Sequence, residues 1–147
     1  MKIVILNGPN LNLLGRREPT IYGTCSMEQV LVDIQRSYPE VHLEYHQSNH
    51  EGDLIDWIQV FGMNDSENVK GLVLNAGGYT HTSVALRDAV ACSQVPVIEV
   101  HISDITRREE FRRVSLLTDV CAHSIMGHGT DGYKEAIEWI VDHNNEK

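Results

Sequence analysis

Long hydrophobic runs, paired cysteines and an excess of positive charge are all missing from this chain. No stretch approaches the ~18 apolar residues of a membrane-spanning helix. The N-terminal MKIVIL lacks the apolar core and cleavage site of a signal peptide, so we expect a cytoplasmic protein. The 3 cysteines show no CxxC spacing and are expected to be free thiols of a reducing compartment. A net charge of −9 argues against nucleic acid and anionic membranes as partners.

Several motifs that would indicate metal, cofactor or covalent chemistry are also missing. The 8 histidines form neither an HExxH motif nor a zinc spacing with cysteine, and there is no GxSxG motif of a serine hydrolase. A GxGxxG match at residues 127–132 follows the last predicted strand instead of the first, which argues against dinucleotide binding. The first and third strands end in Asn7 and Asn75, where a phosphorylated receiver domain would need acids.

Strand and helix patterns alternate along the chain, with no linker or low-complexity stretch between them. The predicted strands are Lys2–Leu6, Val41–His46, Gly71–Asn75, Val97–His101 and Val120–Met126. The predicted helices run from Ser26 to the residue before Pro39, over Asp53–Phe61 and Thr82–Ser93, from Thr106 to about Ser115, and over Asp131–Val141. This alternation predicts a single α/β domain (residues 1–147) with a doubly wound, five-stranded parallel sheet. Because the second strand has a polar face, it belongs at an edge, which favours the flavodoxin-like order 2-1-3-4-5.

Polar loops follow four of the predicted strands. They are residues 7–10, 47–49, 75–81 and 101–103, and they are rich in Asn and His. Ligands of such sheets bind beyond the carboxyl ends of the strands, so we expect these loops to converge on one composite site. Within them, Asn75 and His81 are candidate hydrogen-bond partners for ligand hydroxyls, although a tight capping turn explains the same residues.

The loop after the first strand carries a tyrosine close to an arginine pair, Arg16–Arg17. A free phenol has a pKa of about 10 and is a poor base at neutral pH. A guanidinium nearby favours the phenolate, so Tyr22 beside Arg17 is a candidate general base. The alternative interpretation is a structural turn tyrosine before Gly23.

His101 ends the fourth strand, two residues after Glu99, so both side chains point to the same face of the sheet. Glu99 can therefore orient or charge the imidazole, and His101 becomes a candidate general acid. The backbone N–H groups of Ile102 and Ser103, with the Ser103 hydroxyl, are candidates to hold a carboxylate. A purely structural strand-end histidine is the competing interpretation.

Arginines are concentrated in two short segments, residues 16–17 and 107–113. In an acidic protein this concentration indicates a local anion site. Arg108 and Arg112 are four residues apart and would share a helix face, so either is placed to reach an anion. A solvated helix face, with an ion pair between Glu109 and Arg113, explains the same pattern.

Four sequence motifs together resemble the type II 3-dehydroquinate dehydratase family. They are NGPNLNLLGRREPTIYG at 7–23, QSNHEGDLIDWI at 47–58, LNAGGYTHTSVALRDA at 74–89 and IEVHISDITRREEFRRVS at 98–115. The resemblance runs from the first strand to the last helix. It implies a lyase of the shikimate and chorismate route to aromatic amino acids, which converts 3-dehydroquinate to 3-dehydroshikimate without cofactor or metal.

The resemblance also implies catalytic roles for five residues. Tyr22 would remove a proton from the carbon next to the ketone, and Arg17 would keep Tyr22 ionised. Asn10 would help to hold a water that stabilises the enolate. His101, oriented by Glu99, would protonate the departing hydroxyl.

Further residues would bind the substrate by the same resemblance. They are Asn75, His81, Ile102, Ser103 and Arg112. Asp88 would reach the site of a neighbouring subunit, since the family assembles as a dodecamer built from trimers.

The chain departs from the family pattern at two positions. Asp104 replaces the Asn of the usual His-x-Ser-Asn, where it would either weaken the carboxylate pocket or point away and support the cap at Thr106. His128 in the last Gly-rich turn is also unusual. A binding module without chemistry and a catalytically degraded relative are the alternative functions, which the Tyr22→Phe and Asp104→Asn variants would distinguish from the lyase.

Overall fold

The computed structural model describes residues 1–16, 18–22, 25–63 and 68–145. Its sheet comprises β1 (Lys2–Asn7), β2 (His42–Gln47), β3 (Val69–Asn75), β4 (Val97–His101) and β5 (His123–Met126). All pairings are parallel and the order is β2-β1-β3-β4-β5, which confirms the predicted flavodoxin-like α/β topology. The helices are α1 (Pro19–Tyr22), α2 (Met27–Ser37), α3 (Glu51–Met63), α4 (Val84–Cys92) and α5 (Asp131–Asn145). Across these described ranges, no helix has both the length and the apolar character that a bilayer crossing requires.

The sheet separates two hydrophobic layers. On one face, residues such as Ile5 and Val100 pack with α2 and α5; on the other, residues such as Leu6 and Leu74 pack with α3 and α4. Successive residues of a strand point to opposite faces, so strands covered on both sides become continuous apolar runs. This explains why β1 is buried from Ile3 to Asn7 and why β4 is buried throughout.

Local signals set two of the helix starts. Ser26 Oγ accepts a hydrogen bond from the Gln29 N–H at 3.3 Å, and Gln29 Oε1 accepts one from the Ser26 N–H at 3.2 Å, so the predicted capping box is confirmed. The α4 helix starts at Val84, two residues later than predicted, because Ser83 is its N-cap and the Ser83 hydroxyl accepts the Leu86 N–H at 2.9 Å.

The predicted helix from Thr106 to Ser115 is wrong. The segment instead forms two 3-10 turns, Ile105–Arg107 and Glu110–Arg112, separated by an extended Arg108 (φ −94°, ψ −168°). A helix here would bury no apolar face, since Phe111 and Val114 are 69% and 66% exposed, and tertiary packing supplies most helix stability.

Because that helix does not form, its expected ion pair does not form either. Glu109 Oε2 lies 3.0 Å from Arg112 Nε, and the Arg113 Nε–H donates to the Arg108 carbonyl at 3.0 Å. The predicted pair between Glu109 and Arg113 is therefore replaced. The last strand also starts later than predicted, at His123, because Val120 lies in a 3-10 turn, Thr118–Val120.

Candidate active site

A cleft of about 160 Å³ lies at the carboxyl ends of β1, β3 and β4. Seven of the residues predicted for the site line it: Asn10, Asn75, His81, His101, Ile102, Ser103 and Arg112. The loop after β2 supports the cleft from behind, because Asn49 Oδ1 accepts the Asn10 N–H at 3.0 Å and Gln47 Nε2 donates to the Gly8 carbonyl at 3.2 Å. The loops therefore converge as the strand-end rule predicts.

The floor of the cleft is formed where the first loop passes over the third. The Gly8 N–H donates to the Asn75 carbonyl at 2.7 Å, and a Cβ on Gly8 would lie only 2.5 Å from the Ala76 carbonyl oxygen. No side chain fits that approach, which explains glycine at this position. Asn10 then adopts the left-handed conformation (φ 70°, ψ −3°), which Asn tolerates better than most residues.

His101 and Glu99 form a buried pair at the end of β4. They are 6% and 1% exposed, and His101 Nε2 lies 2.7 Å from Glu99 Oε2. Burial alone would raise the pKa of Glu99, but hydrogen bonds from His101, Ser115 and Thr118 and the charge of His101 lower that pKa to about 2. An ionised carboxylate only accepts hydrogen bonds, so Nε2 of His101 carries a proton toward it. Nδ1 is then the nitrogen available to a ligand in the cleft.

Asn75 is held by a buried polar network behind the cleft. Its Nδ2 donates to the Tyr133 hydroxyl at 3.0 Å, and its Oδ1 accepts the Gly77 N–H at 3.2 Å. The Tyr133 hydroxyl in turn donates to Asn7 Oδ1 at 2.9 Å, and burial raises the pKa of Tyr133 so that it stays a phenol. The Asn75 amide is therefore oriented, with one N–H left for a ligand hydroxyl.

The other end of the cleft is suited to an anion. The backbone N–H groups of Ile102 and Ser103 meet no acceptor in the described part of the chain. Arg108 and Arg112 also line the cleft, with Glu109 Oε2 lying 3.8 Å and 3.0 Å from their respective Nε atoms. Backbone donors next to guanidinium groups are a typical carboxylate-binding arrangement.

His81 lies at the same end. Its Nδ1 is 2.8 Å from the Val114 carbonyl oxygen, which can only accept, so Nδ1 carries the proton and Nε2 is left as an acceptor on the cleft side. His81 can thus accept a hydrogen bond from a ligand hydroxyl.

Asp104 is turned away from this anion-binding end. Its Oδ1 accepts hydrogen bonds from the Thr106 N–H at 3.0 Å and from the Thr106 hydroxyl at 2.6 Å, and its Oδ2 lies 3.6 Å from Arg107 Nε. These hydrogen bonds lower the pKa of Asp104. Asp104 therefore points away, as one of the two predicted outcomes has it, but the cap differs from the prediction: Asp104 is itself the N-cap of the turn Ile105–Arg107, and Thr106 is its N–H donor.

The structure leaves three of the predicted site roles untested. Arg17 lies outside the described residues, and for Tyr22 only the backbone, at the end of α1, is described. Asp88 is exposed on α4 and does not line the cleft of its own chain. The roles of all three stay predictions.

Sequence reasoning missed several groups around the site. Arg108, which the sequence places to reach an anion but the family resemblance does not include, lines the cleft with only 14% of its side chain exposed. The hydroxyls that contact Glu99 come from residues 115, 118 and 124, and no spacing rule links them to it. Tyr133 fits the apolar pattern of a helix, so nothing in the sequence indicates that its hydroxyl belongs to the hydrogen-bond network of the site. Among the described residues, no group of three or more His, Cys, Asp and Glu side chains is arranged to hold a metal ion.

Comparisons with known proteins agree over almost the whole chain. The family model described as "Dehydroquinase class II" matches residues 1–141. A 3-dehydroquinate dehydratase of Exiguobacterium sp. is 48% identical over 144 residues, covering 97% of this chain and 96% of the relative.

Solved structures agree with the sequence relatives. A type II dehydroquinase from Butyrivibrio crossotus superposes with a TM-score of 0.88 at 45% identity, covering 95% of this chain and 97% of that one. A type II dehydroquinase from Propionibacterium acnes gives a TM-score of 0.85 at 35% identity, covering 95% and 94%.

Proposed function

The chain belongs to the class II dehydroquinase family, and we propose that it eliminates water from 3-dehydroquinate to give 3-dehydroshikimate. This makes it a hydro-lyase of the shikimate route to chorismate and the aromatic amino acids. The observation that carries the proposal is one cleft that is lined by His101, itself paired with the buried Glu99, and that also has an anion-binding end. The elimination is acid–base chemistry that needs no cofactor.

The first step is the loss of a proton from the carbon next to the ketone. Tyr22, as phenolate, takes that proton, and the electron pair moves onto the ketone oxygen to give an enolate. Arg17 stabilises the phenolate by its charge. Asn10, which lines the cleft, holds a water that hydrogen-bonds the enolate oxygen. The support for Tyr22 and Arg17 is the family motif in which they stand.

The second step is the loss of the hydroxyl. As the enolate oxygen re-forms the ketone, the electron pair of the enolate carbon–carbon bond forms a new double bond to the hydroxyl-bearing carbon, the carbon–oxygen bond there breaks, and His101 protonates the leaving oxygen so that it departs as water. Because Nε2–H of His101 faces Glu99, the proton comes from Nδ1 of the imidazolium. Glu99 supplies the negative charge that stabilises the imidazolium before the transfer.

Substrate recognition divides between the two ends of the cleft. The N–H groups of Ile102 and Ser103, the Ser103 hydroxyl and Arg112 bind the carboxylate. Asn75 and His81 bind ring hydroxyls through the donor and acceptor left over from their fixed hydrogen bonds.

The chain is proposed to act as a single cytoplasmic domain within a dodecamer that is built from trimers. Asp88 would complete the site of a neighbouring subunit from the exposed side of α4. Exposed apolar side chains at Val84, Phe111 and Val114, beside the site loops, support a subunit contact there. Free thiols at all three cysteines are compatible with a reducing compartment.

The test is direct. Purified protein is mixed with 3-dehydroquinate in buffer containing a chelator, and the ultraviolet absorbance of the conjugated enone product is followed. We expect product from wild type, a loss of at least about 100-fold in kcat for Tyr22→Phe, and normal turnover for the control Tyr38→Phe. Folded protein that binds the substrate but forms no product would indicate a binding module instead. Equal activity of Tyr22→Phe and wild type would remove Tyr22 as the base.

A further inference from the structure

We propose that the hydroxyls of Ser115, Thr118 and Ser124 are positioning groups that fix Glu99 as an anion and, through it, hold His101 with Nδ1 toward the substrate. We call these three residues the hydroxyl cage. Its effect on Glu99 is a property of the free protein, and its effect on turnover rests on the proposed function.

The cage and His101 together fill every acceptor site of the Glu99 carboxylate. Thr118 Oγ1 and Ser124 Oγ donate to Oε1 at 2.6 Å and 2.7 Å. Ser115 Oγ donates to Oε2, which also faces His101 Nε2 at 2.7 Å. Two carboxylate oxygens offer about four acceptor positions, so each has a donor here. Protonation of Glu99 would require one of these donors to turn away, which disfavours the neutral acid.

The chemical type of the donors matters as much as their number. A hydroxyl stabilises a carboxylate without adding positive charge, whereas an arginine or lysine at the same place would neutralise it. The full negative charge of Glu99 therefore remains available to the imidazolium of His101. A buried carboxylate without donors would instead take up a proton, since desolvation disfavours the charged form.

The cage is itself held in place by contacts with other elements. Ser115 Oγ accepts the Leu117 N–H at 3.1 Å, and the Leu116 N–H donates to the Thr80 carbonyl at 2.9 Å. Arg87 on α4 donates to the Leu116 carbonyl at 2.8 Å and pairs with the Asp119 carboxylate. Ser124 is fixed independently, as a residue of β5 paired with Glu99 of β4. The three hydroxyls therefore reach Glu99 from a restrained loop and from the sheet.

The size of the effect follows from the two Oε1 donors. A hydrogen bond to a charged group corresponds to roughly one to two pKa units. Loss of both hydroxyls in Thr118→Val/Ser124→Ala should therefore raise the Glu99 pKa from about 2 to between ~4 and ~6. Neither residue lines the cleft, so substrate contacts are unchanged.

The experiment measures Glu99 and His101 in the free protein by NMR. The carboxyl carbon of Glu99 is titrated in 13C-labelled protein, and the His101 tautomer is read from its ring 15N shifts. The variants are the double change Thr118→Val/Ser124→Ala, each of its two single changes, and Thr118→Ser, which keeps the hydroxyl. Ser93→Ala is the matched control, because it removes a part-buried hydroxyl that bonds Val95 and not the pair.

We expect no Glu99 titration above about pH 4 in wild type, Thr118→Ser and Ser93→Ala, with His101 protonated on Nε2. The double variant should titrate at least about two units higher, with each single variant shifted by about one, and its His101 should show mixed tautomers. If the double variant does not fold, the single variants provide the same measurement. Unchanged titration and tautomer in folded variants would overturn the proposal, as would an equal shift in Ser93→Ala.

Turnover adds a separate readout. In the double variant, kcat should fall as the pH drops through the raised Glu99 pKa, while KM stays within about two-fold of wild type. Because the NMR measurement needs no substrate, failure of wild type to convert 3-dehydroquinate would remove the proposed function without deciding the role of the cage. A reduced kcat with no change in its pH dependence would contradict the cage.

Discussion

Glu99 should make the unfolding free energy of the wild-type protein fall in acid by more than that of the Glu99→Gln variant. The Glu99 pKa is about 2 in the folded protein, against an ordinary glutamate value of 4.5. A carboxyl whose folded pKa is depressed stabilises the fold fully above its unfolded pKa, and that stabilisation is lost as the pH falls toward the folded pKa. At about 1.4 kcal/mol per unit the contribution is about 3 kcal/mol, of which about 2 kcal/mol is lost between pH 5 and pH 3.

The measurement is urea unfolding of both proteins at steps from pH 5 to pH 3, at one protein concentration, followed by the fluorescence of Trp57 and Trp139. The difference in unfolding free energy between wild type and Glu99→Gln should shrink by about 2 kcal/mol over that range. Glu40→Gln, which removes an exposed carboxylate, should track wild type throughout. A wild-type minus Glu99→Gln difference that is the same at pH 5 and pH 3 would refute the assignment of a buried anion.

Three further changes test the fold and the site. Gly8→Ala places a methyl 2.5 Å from a backbone carbonyl and should destabilise the protein by on the order of 3 kcal/mol in urea unfolding, whereas Gly52→Ala, with nothing within 4 Å, should be neutral or slightly stabilising. Tyr133→Phe leaves two buried amides without their partner and should cost about 2 kcal/mol by the same assay; an unchanged midpoint would contradict the network. Asp104→Asn should leave KM for 3-dehydroquinate within about two-fold of wild type, because the Asn oxygen can still accept from Thr106; a large fall in KM would mean that Asp104 does act on the carboxylate pocket.

Local sequence signals were enough for most of the architecture. Apolar runs such as Ile3–Leu6 require burial on both faces, and the capping box at Ser26 starts a helix by contacts three residues apart. Alternation of such signals then restricts the topology to a doubly wound sheet, whose strand ends converge. The pairing of Glu99 with His101 was equally local, because residues two apart on a strand share a face.

Local signals misled where packing had to decide. The Thr106 segment carries a capping-box pattern, but its Phe111 side chain finds no core to cover, so short 3-10 turns replace the helix. Arg108 and Arg112 still reach the cleft, although the shared helix face that predicted this does not exist.

The chain's sequence by itself determined the sheet order, the position of the candidate site and the His101–Glu99 pair, since each depends on contacts between near neighbours or on topology. Only the tertiary structure decided which side chains from distant parts of the sequence complete the hydrogen bonds of the site residues. The hydroxyls around Glu99 and the Tyr133 phenol between Asn7 and Asn75 come from segments 16 to 126 residues away in sequence. Such side chains look like ordinary loop or core residues until packing brings them within hydrogen-bond distance, where burial makes each unpaired polar group costly and each paired one specific.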